Sequence, residues 1–250
     1  MEKNNLKAAA LKNVKLSSGL LAQKNELVRK EVIPYQWQAL NDELPDTEPS
    51  HAIENFKIAA GRSDGEFHGM VFQDSDVAKW LEAVAYQLAV NPDSELEKRA
   101  DEVIDLIGEA QEDDGYLNTY FIVKEPEMKW KNLAECHELY CSGHLIEAAV
   151  AYYNATGKDK FLNIMKKNAD LIDGKFGYDQ GQIKGYPGHQ EIELALIKLY
   201  GVTGEDKYRD LAKYFIDERG KEPFYFDKEW KERDKVDHWD DFHKNVKRDY

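Results

Sequence analysis

Ile146-Glu-Ala-Ala-Val-Ala-Tyr-Tyr-Asn-Ala-Thr-Gly-Lys-Asp-Lys160 decides the fold, because the same pattern returns 47 residues further along the chain. Ala148 aligns with Ala195, Tyr153 with Tyr200, and Thr156-Gly157 with Thr203-Gly204. Asp159-Lys160 aligns with Asp206-Lys207, Lys166 with Lys213, and Asp170 with Asp217. A self-similarity of this period marks one supersecondary unit that must stack on its neighbours to bury its apolar face. Each copy reads as a helix, a Thr-Gly-x-Asp-Lys turn and a second helix, with the Gly supplying the left-handed residue that ends the first helix. Leu81 to Ile107 is similar, with Asn91-Pro92-Asp93 as its turn.

Working outward, Val77–Val90 is an amphipathic helix that Asp74 or Ser75 caps, and a second helix follows from about Glu95 to Ala110. Gln111–Val123 reads as a turn followed by aromatic, extended chain. Strands are sparse, so the class is all-α with short β pieces. Stacked hairpins build an open solenoid or a closed α/α toroid. The long polar and aromatic connections Asp113–Trp130 and Gly174–Gly188 favour the toroid, in which loops lengthen at the mouth that carries the site.

The chain has 250 residues, 42% of them hydrophobic, enough for one large domain. A net charge of −14 argues against nucleic acid and against anionic membrane surfaces, both of which need clustered Lys and Arg. No apolar run approaches the roughly 20 residues of a membrane span, and no secretory signal stands at the N-terminus. Cys136 and Cys141 are five apart. Five residues turn a helix by about 500°, so the two thiols point apart, and a reducing cytoplasm is the expected location.

Chemistry concentrates in Asn132-Leu-Ala-Glu-Cys-His-Glu-Leu-Tyr-Cys-Ser-Gly-His144. His137, Cys141 and His144 are spaced i, i+4, i+7, which puts them on one helical stripe. His137-Glu138-Leu-Tyr-Cys141 invites comparison with the zinc pattern His-Glu-x-x-His, but no third ligand can be assigned. A polar helix start with satisfied histidines and a substrate-contacting pocket wall are the other readings. In Gly185-Tyr-Pro-Gly-His-Gln-Glu-Ile-Glu193, Pro187-Gly188 is a tight turn that delivers His189 to the first turn of the next helix. Val71-Phe-Gln-Asp-Ser-Asp76 brings Gln73, Asp74 and Asp76 to a helix start, either to hold sugar hydroxyls or to complement the helix dipole. Gln111-Glu-Asp-Asp-Gly-Tyr116 sets acids beside the Tyr116 ring, a combination suited to carbohydrate. Phosphate loops, Gly-x-Ser-x-Gly and dinucleotide fingerprints are absent.

Val32-Ile-Pro-Tyr-Gln-Trp37, Glu66–Glu82, Asp114-Gly-Tyr-Leu-Asn-Thr119, His137–Ala149 and Gly188-His-x-Glu-Ile-Glu-Leu-Ala195 together resemble glycoside hydrolase family 127, the β-L-arabinofuranosidases. The likeness runs in order from about Val32 to Gly220. It implies an (α/α)6 catalytic barrel that releases non-reducing terminal β-L-arabinofuranose with retention. Two sugar-contacting family histidines match His137 and His189. Weaker pocket candidates are Gln73, Asp74, Asp76, Tyr116, Glu138 and His144.

The family's zinc, its cysteine nucleophile and its acid/base glutamate belong to a region beyond the stretch matched here. On this reading the chain carries no identifiable catalytic residue and no metal ligand. The expected organisation is a helical lead-in at 1–31, a partial, incomplete barrel at 32–220 and a charged segment at 221–250 leading into the remainder. The expected partners are an L-arabinofuranose-containing oligosaccharide and, along the open flank, a second copy or the missing C-terminal half. A non-catalytic sugar-binding or helical-repeat module is the alternative. A lyase or unsaturated-uronide hydrolase fits less well, because such enzymes want Arg or Lys at a mouth that is acidic here.

Overall fold

A computed structural model describes residues 9–233. Helix α1 (Gly19–Leu27) runs through a π-helical turn (Val28–Val32) into α2 (Ile33–Leu40). The boundary expected at 31/32 therefore falls inside a continuous helix. There follow α3 (Ala52–Ala59), α4 (Asp74–Val90), α5 (Ser94–Ala110) and a short α6 (Thr119–Val123). The repeats come next as α7 (Glu138–Thr156), α8 (Lys160–Lys175), α9 (Ile192–Thr203) and α10 (Asp206–Arg219), and α11 (Tyr225–Arg233) closes the described chain. The described residues contain no strand, only an isolated bridge between Phe176 and Ile183. The part of the charged terminal segment after 233, with Trp239 and Phe242, lies outside the described residues.

The repeat behaves as its sequence dictates. Gly157 and Gly204 sit at φ 76° and 71°, and their N–H groups bond the carbonyls of Tyr153 and Tyr200. The Thr156 and Thr203 hydroxyls donate to Tyr152 and Leu199 carbonyls four residues back. Each then accepts the N–H two residues on, from Lys158 and Glu205. The third hairpin uses Asp93 instead, whose carboxylate accepts the Glu95 and Leu96 N–H groups at 3.1 Å.

Each hairpin contributes one helix to each of two layers. Helices α4, α7 and α9 pack side by side in one, while α5, α8 and α10 line the other. Helix α7 is buried along most of its length, as a helix between two neighbours in its own layer and one behind must be. Trp80 anchors α4 to α2 by donating its indole N–H to the Ile33 carbonyl at 3.1 Å.

Two local expectations are corrected. The aromatic run after Tyr116 is not extended from end to end: the Asn118 side chain caps Phe121, so Thr119–Val123 turns helical. Asp74 does not cap α4. Its carboxylate reaches across to α6 and accepts the Thr119 N–H at 2.8 Å and the Thr119 hydroxyl at 2.5 Å.

Two glycines test the packing. A Cβ on Gly188 would meet the Ala134 carbonyl oxygen at 1.9 Å, whereas one on Gly201 meets nothing within 4 Å. Gly188→Ala is expected to lose about 2–3 kcal/mol of stability through backbone displacement. Gly201→Ala, on an exposed helical turn, is expected to gain about 0.5–1 kcal/mol. Urea denaturation of both variants checks this, and equal midpoints would remove the claim of a tight contact at Gly188.

Candidate functional site

The three inner helices run in the same direction, so the starts of α4, α7 and α9 meet at one end. Two loops feed that end, 124–137 into α7 and 176–191 into α9. The Gly188 N–H bonds the Leu133 carbonyl at 2.9 Å, which clamps one loop on the other. Gly143 works alongside it: a Cβ there would lie 2.8 Å from Glu191 Cγ and 3.0 Å from the Ile192 nitrogen. The absence of side chains at 143 and 188 lets α9 and its loop come down on α7.

This docking brings the His137 and His189 rings to 4.7 Å between centroids. Tyr140 stands 5.4 Å from each of them and 4.4 Å from His144. Phe72, just before α4, lies 5.1 Å from His137. Lys79 of α4 donates to the Tyr140 hydroxyl at 3.0 Å and to the Ser75 hydroxyl at 3.1 Å. The result is an aromatic and imidazole rim built from three helix starts.

His137 itself is not helical. It precedes α7 in the left-handed region at φ 58°, a conformation that costs a non-glycine residue about 1–3 kcal/mol. Its Nδ1 contacts the Glu135 carbonyl. A carbonyl only accepts, so this contact calls for the proton on Nδ1. The loop that holds this geometry is tied down by buried carboxylates. Glu138 accepts the Trp130 N–H at 2.9 Å and the Tyr116 hydroxyl at 2.5 Å. Glu229 of α11 accepts the Leu133 and Ala134 N–H groups at 2.8 and 3.1 Å.

The expected i, i+4, i+7 stripe is corrected. His137 lies outside the helix, and Cys141 is buried against Ser75 and Asp74 of α4. The side chains that share the rim are His137, Tyr140 and His144. Asp74, Tyr116 and Glu138, read from the sequence as pocket residues, lie 2–3% exposed behind the rim, where loop ties occupy their oxygens. His189 lies three residues before the start of α9 rather than in its first turn, and it is exposed. Gln73 and Asp76 are partly exposed and paired, with the Gln73 amide donating to Asp76 at 2.9 Å. Tyr140, Lys79 and Glu191 were not singled out in the sequence. Tyr140 could have been found, since it is three residues after His137 and four before His144.

Electrostatics separate rim from wall. Burial pushes Glu138 up to about 8 and Asp74 up to about 6, and it pushes the Cys136 and Cys141 thiols far up. Both cysteines are free. Metal-binding thiolates need the opposite shift, so neither cysteine offers the zinc ligand that the family resemblance attaches to a cysteine centre. The His-Glu-x-x-Cys comparison fails for the same reason, with Glu138 and Cys141 both sealed in packing.

Stacked helical hairpins with polar side chains gathered at one rim place the chain among α/α-barrel glycoside hydrolase-like proteins. The model of the "Beta-L-arabinofuranosidase, GH127 catalytic domain" matches residues 13–247, and the chain belongs to that family. It is 46% identical over 235 residues to the non-reducing end β-L-arabinofuranosidase of Bifidobacterium longum subsp. longum, covering 88% of this chain and 36% of that protein. A crystal structure of a GH127 β-L-arabinofuranosidase from Geobacillus stearothermophilus T6 superposes with a TM-score of 0.88 at 64% identity, over 90% of this chain and 35% of that one. A second GH127 β-arabinofuranosidase structure gives 0.78 at 38% identity, over 84% and 34%. The chain thus spans about a third of the length of these relatives.

Glu138 carries a pH signature. Below 4.5 both the folded and unfolded chains hold its proton; between 4.5 and about 8 only the folded chain does. Stability therefore falls as pH rises through that window and levels off above it, by up to about 1.4 kcal/mol per pH unit from this group. Glu138→Gln is expected to flatten the slope by that amount in denaturation curves taken across the window. Parallel slopes for the two proteins would mean that Glu138 is ionised in the fold.

Proposed function

We propose that this chain forms the sugar-holding wall of a β-L-arabinofuranosidase site, with His137 and His189 contacting hydroxyls of the terminal residue. The observation that carries the reading is the 4.7 Å approach of two imidazoles delivered by different hairpins. Imidazole nitrogens suit sugar hydroxyls, and the neighbouring Tyr140 ring suits the C–H face of a sugar. Gln73, Asp76 and His144 stand around them as further polar contacts. The Bifidobacterium relative's name supplies the substrate class, a non-reducing terminal β-L-arabinofuranoside.

In the whole enzyme the reaction would be retaining hydrolysis of that residue, which needs a nucleophile at the anomeric carbon and an acid/base group that protonates the leaving oxygen and then activates water. Family resemblance puts those groups, and zinc, outside the stretch matched here. What the residues on this chain do is bind and orient. Leu194 and Ile197 on α9 are 53% and 44% exposed. In this reading they mark the flank against which a further barrel hairpin or a second copy packs. The free thiols accord with action in the cytoplasm. No described helix is long and apolar enough to cross a membrane.

Titration of the chain with methyl β-L-arabinofuranoside, followed by calorimetry or NMR, tests the reading. Saturable binding is expected, and His137→Ala and His189→Ala should each weaken it about tenfold while leaving the circular dichroism unchanged. Absence of saturation, or an affinity unchanged from the parent chain in both variants, overturns it. Release of phenol from an aryl β-L-arabinofuranoside would make the chain catalytic, while binding without turnover would make it a sugar-holding module.

A further inference from the structure

Beside the histidine rim lies a second cluster with its own chemistry. His144 and Glu147, three apart on α7, project toward Glu191 at the start of α9. One ligand atom from each of the three residues lies within 4.8 Å of the others. His144 Nδ1 is 3.3 Å from Glu191 Oε1 and 3.8 Å from Glu147 Oε2. A tetrahedral site with bonds of about 2.0–2.1 Å has ligand–ligand edges of about 3.3–3.5 Å, so one edge is already set and another is within a small rotation.

Hydrogen bonding supplies an independent observation. His144 Nδ1 and Glu191 Oε1 are both shielded from solvent, and neither makes a hydrogen bond. Buried polar atoms nearly always find partners, and these two meet each other only as an ion pair at 3.3 Å, a separation that also fits two ligands of one ion.

We propose that His144, Glu147 and Glu191 form a binding site for one first-row divalent transition-metal ion. The donor set, one imidazole and two carboxylates, suits Zn²⁺, Mn²⁺ or Co²⁺ over Ca²⁺, which prefers oxygens alone. The site shares His144 with the rim but uses neither His137 nor His189, so metal binding and sugar binding can be measured separately.

The surroundings agree. Glu147 and Glu191 bring two carboxyl groups to one space beside the His144 ring. Glycine at 143 holds the Glu191 segment against α7, so the ligands come from rigid elements. Lys198 of α9 is the competitor: its ammonium pairs with Glu147 and lies 3.8 Å from Glu82 of α4. It is 35% exposed along its side chain, so it can swing into solvent when a metal arrives.

Calorimetric titration with Zn²⁺, and Co²⁺ d–d absorption as a spectroscopic reporter, test the site on the intact chain. One ion per chain is expected, with a tetrahedral or five-coordinate Co²⁺ spectrum. Glu191→Gln and His144→Phe should each weaken binding by at least about 100-fold, because losing a ligand costs no less than losing its support. Lys198→Met should tighten it by removing the competing ammonium, a change that does not depend on the ligand variants folding. The proposal is overturned if no stoichiometric binding occurs. It is equally overturned if binding survives both ligand variants unchanged, which would place the ion on other histidines, or if Lys198→Met leaves the affinity as it was.

Discussion

Gly188 resting on the carbonyls of Leu133 and Ala134 is the contact from which the rest of the rim follows. The Gly188 N–H is bonded at 2.9 Å and its missing Cβ leaves room for the Ala134 carbonyl. Any side chain there would lift the 176–191 loop away from the 124–137 loop. His189 is the next residue, and His137 ends the opposite loop, so the separation of the two imidazoles is set by this backbone-to-backbone seat. Gly143 repeats the device one turn into α7, where it admits Glu191 and Ile192. The rim is therefore a consequence of two loops being forced together by small residues, with the inner helices as the fixed frame.

That frame has its own cost. Glu138, Asp74 and Glu229 are acids buried behind the rim, each 2–3% exposed and each accepting backbone N–H groups from a loop or helix start. Burying a carboxyl is unfavourable unless its lone pairs are used. Here they replace the secondary-structure partners that the irregular segments 124–137 and 116–119 lack. The polar atoms behind the wall serve order, while those on its open side, His137, Tyr140, His189 and Lys79, are the ones the proposed sugar would meet. Sugar recognition needs such a fixed array, because hydroxyl contacts are individually weak and rely on pre-set geometry.

The sequence disclosed much of this unaided. The 47-residue repeat dictated paired hairpins, and Thr156-Gly157 and Thr203-Gly204 built the same cap in both. Helix α5 and the Asn91-Pro92-Asp93 turn before it were visible from spacing and residue type, though the Asp93 cap was not. His137 and His189 were visible through the family pattern around them. Other parts were hidden for physical reasons. The segment after Tyr116 carries strand-like residues, but the Asn118 cap and its tie to Asp74 of α4 overrode that preference. Asp74, Tyr116 and Glu138 looked like pocket residues because their chemistry suits sugars. Residue type cannot tell an acid facing a ligand from an acid holding a loop.

Local sequence, then, determined which segments coil, where they stop and which side chains were available for chemistry, since propensity, capping and the left-handed glycine act within a few residues. Which of those side chains meet was decided only by tertiary structure. The left-handed turn at His137, the seat under Gly188 and the approach of Glu191 to His144 each depend on contacts between segments that lie from tens of residues to nearly a hundred apart. Such contacts are fixed by the shape of the packed interior, where close approach and the satisfaction of buried polar groups select one arrangement from many that the local rules allow.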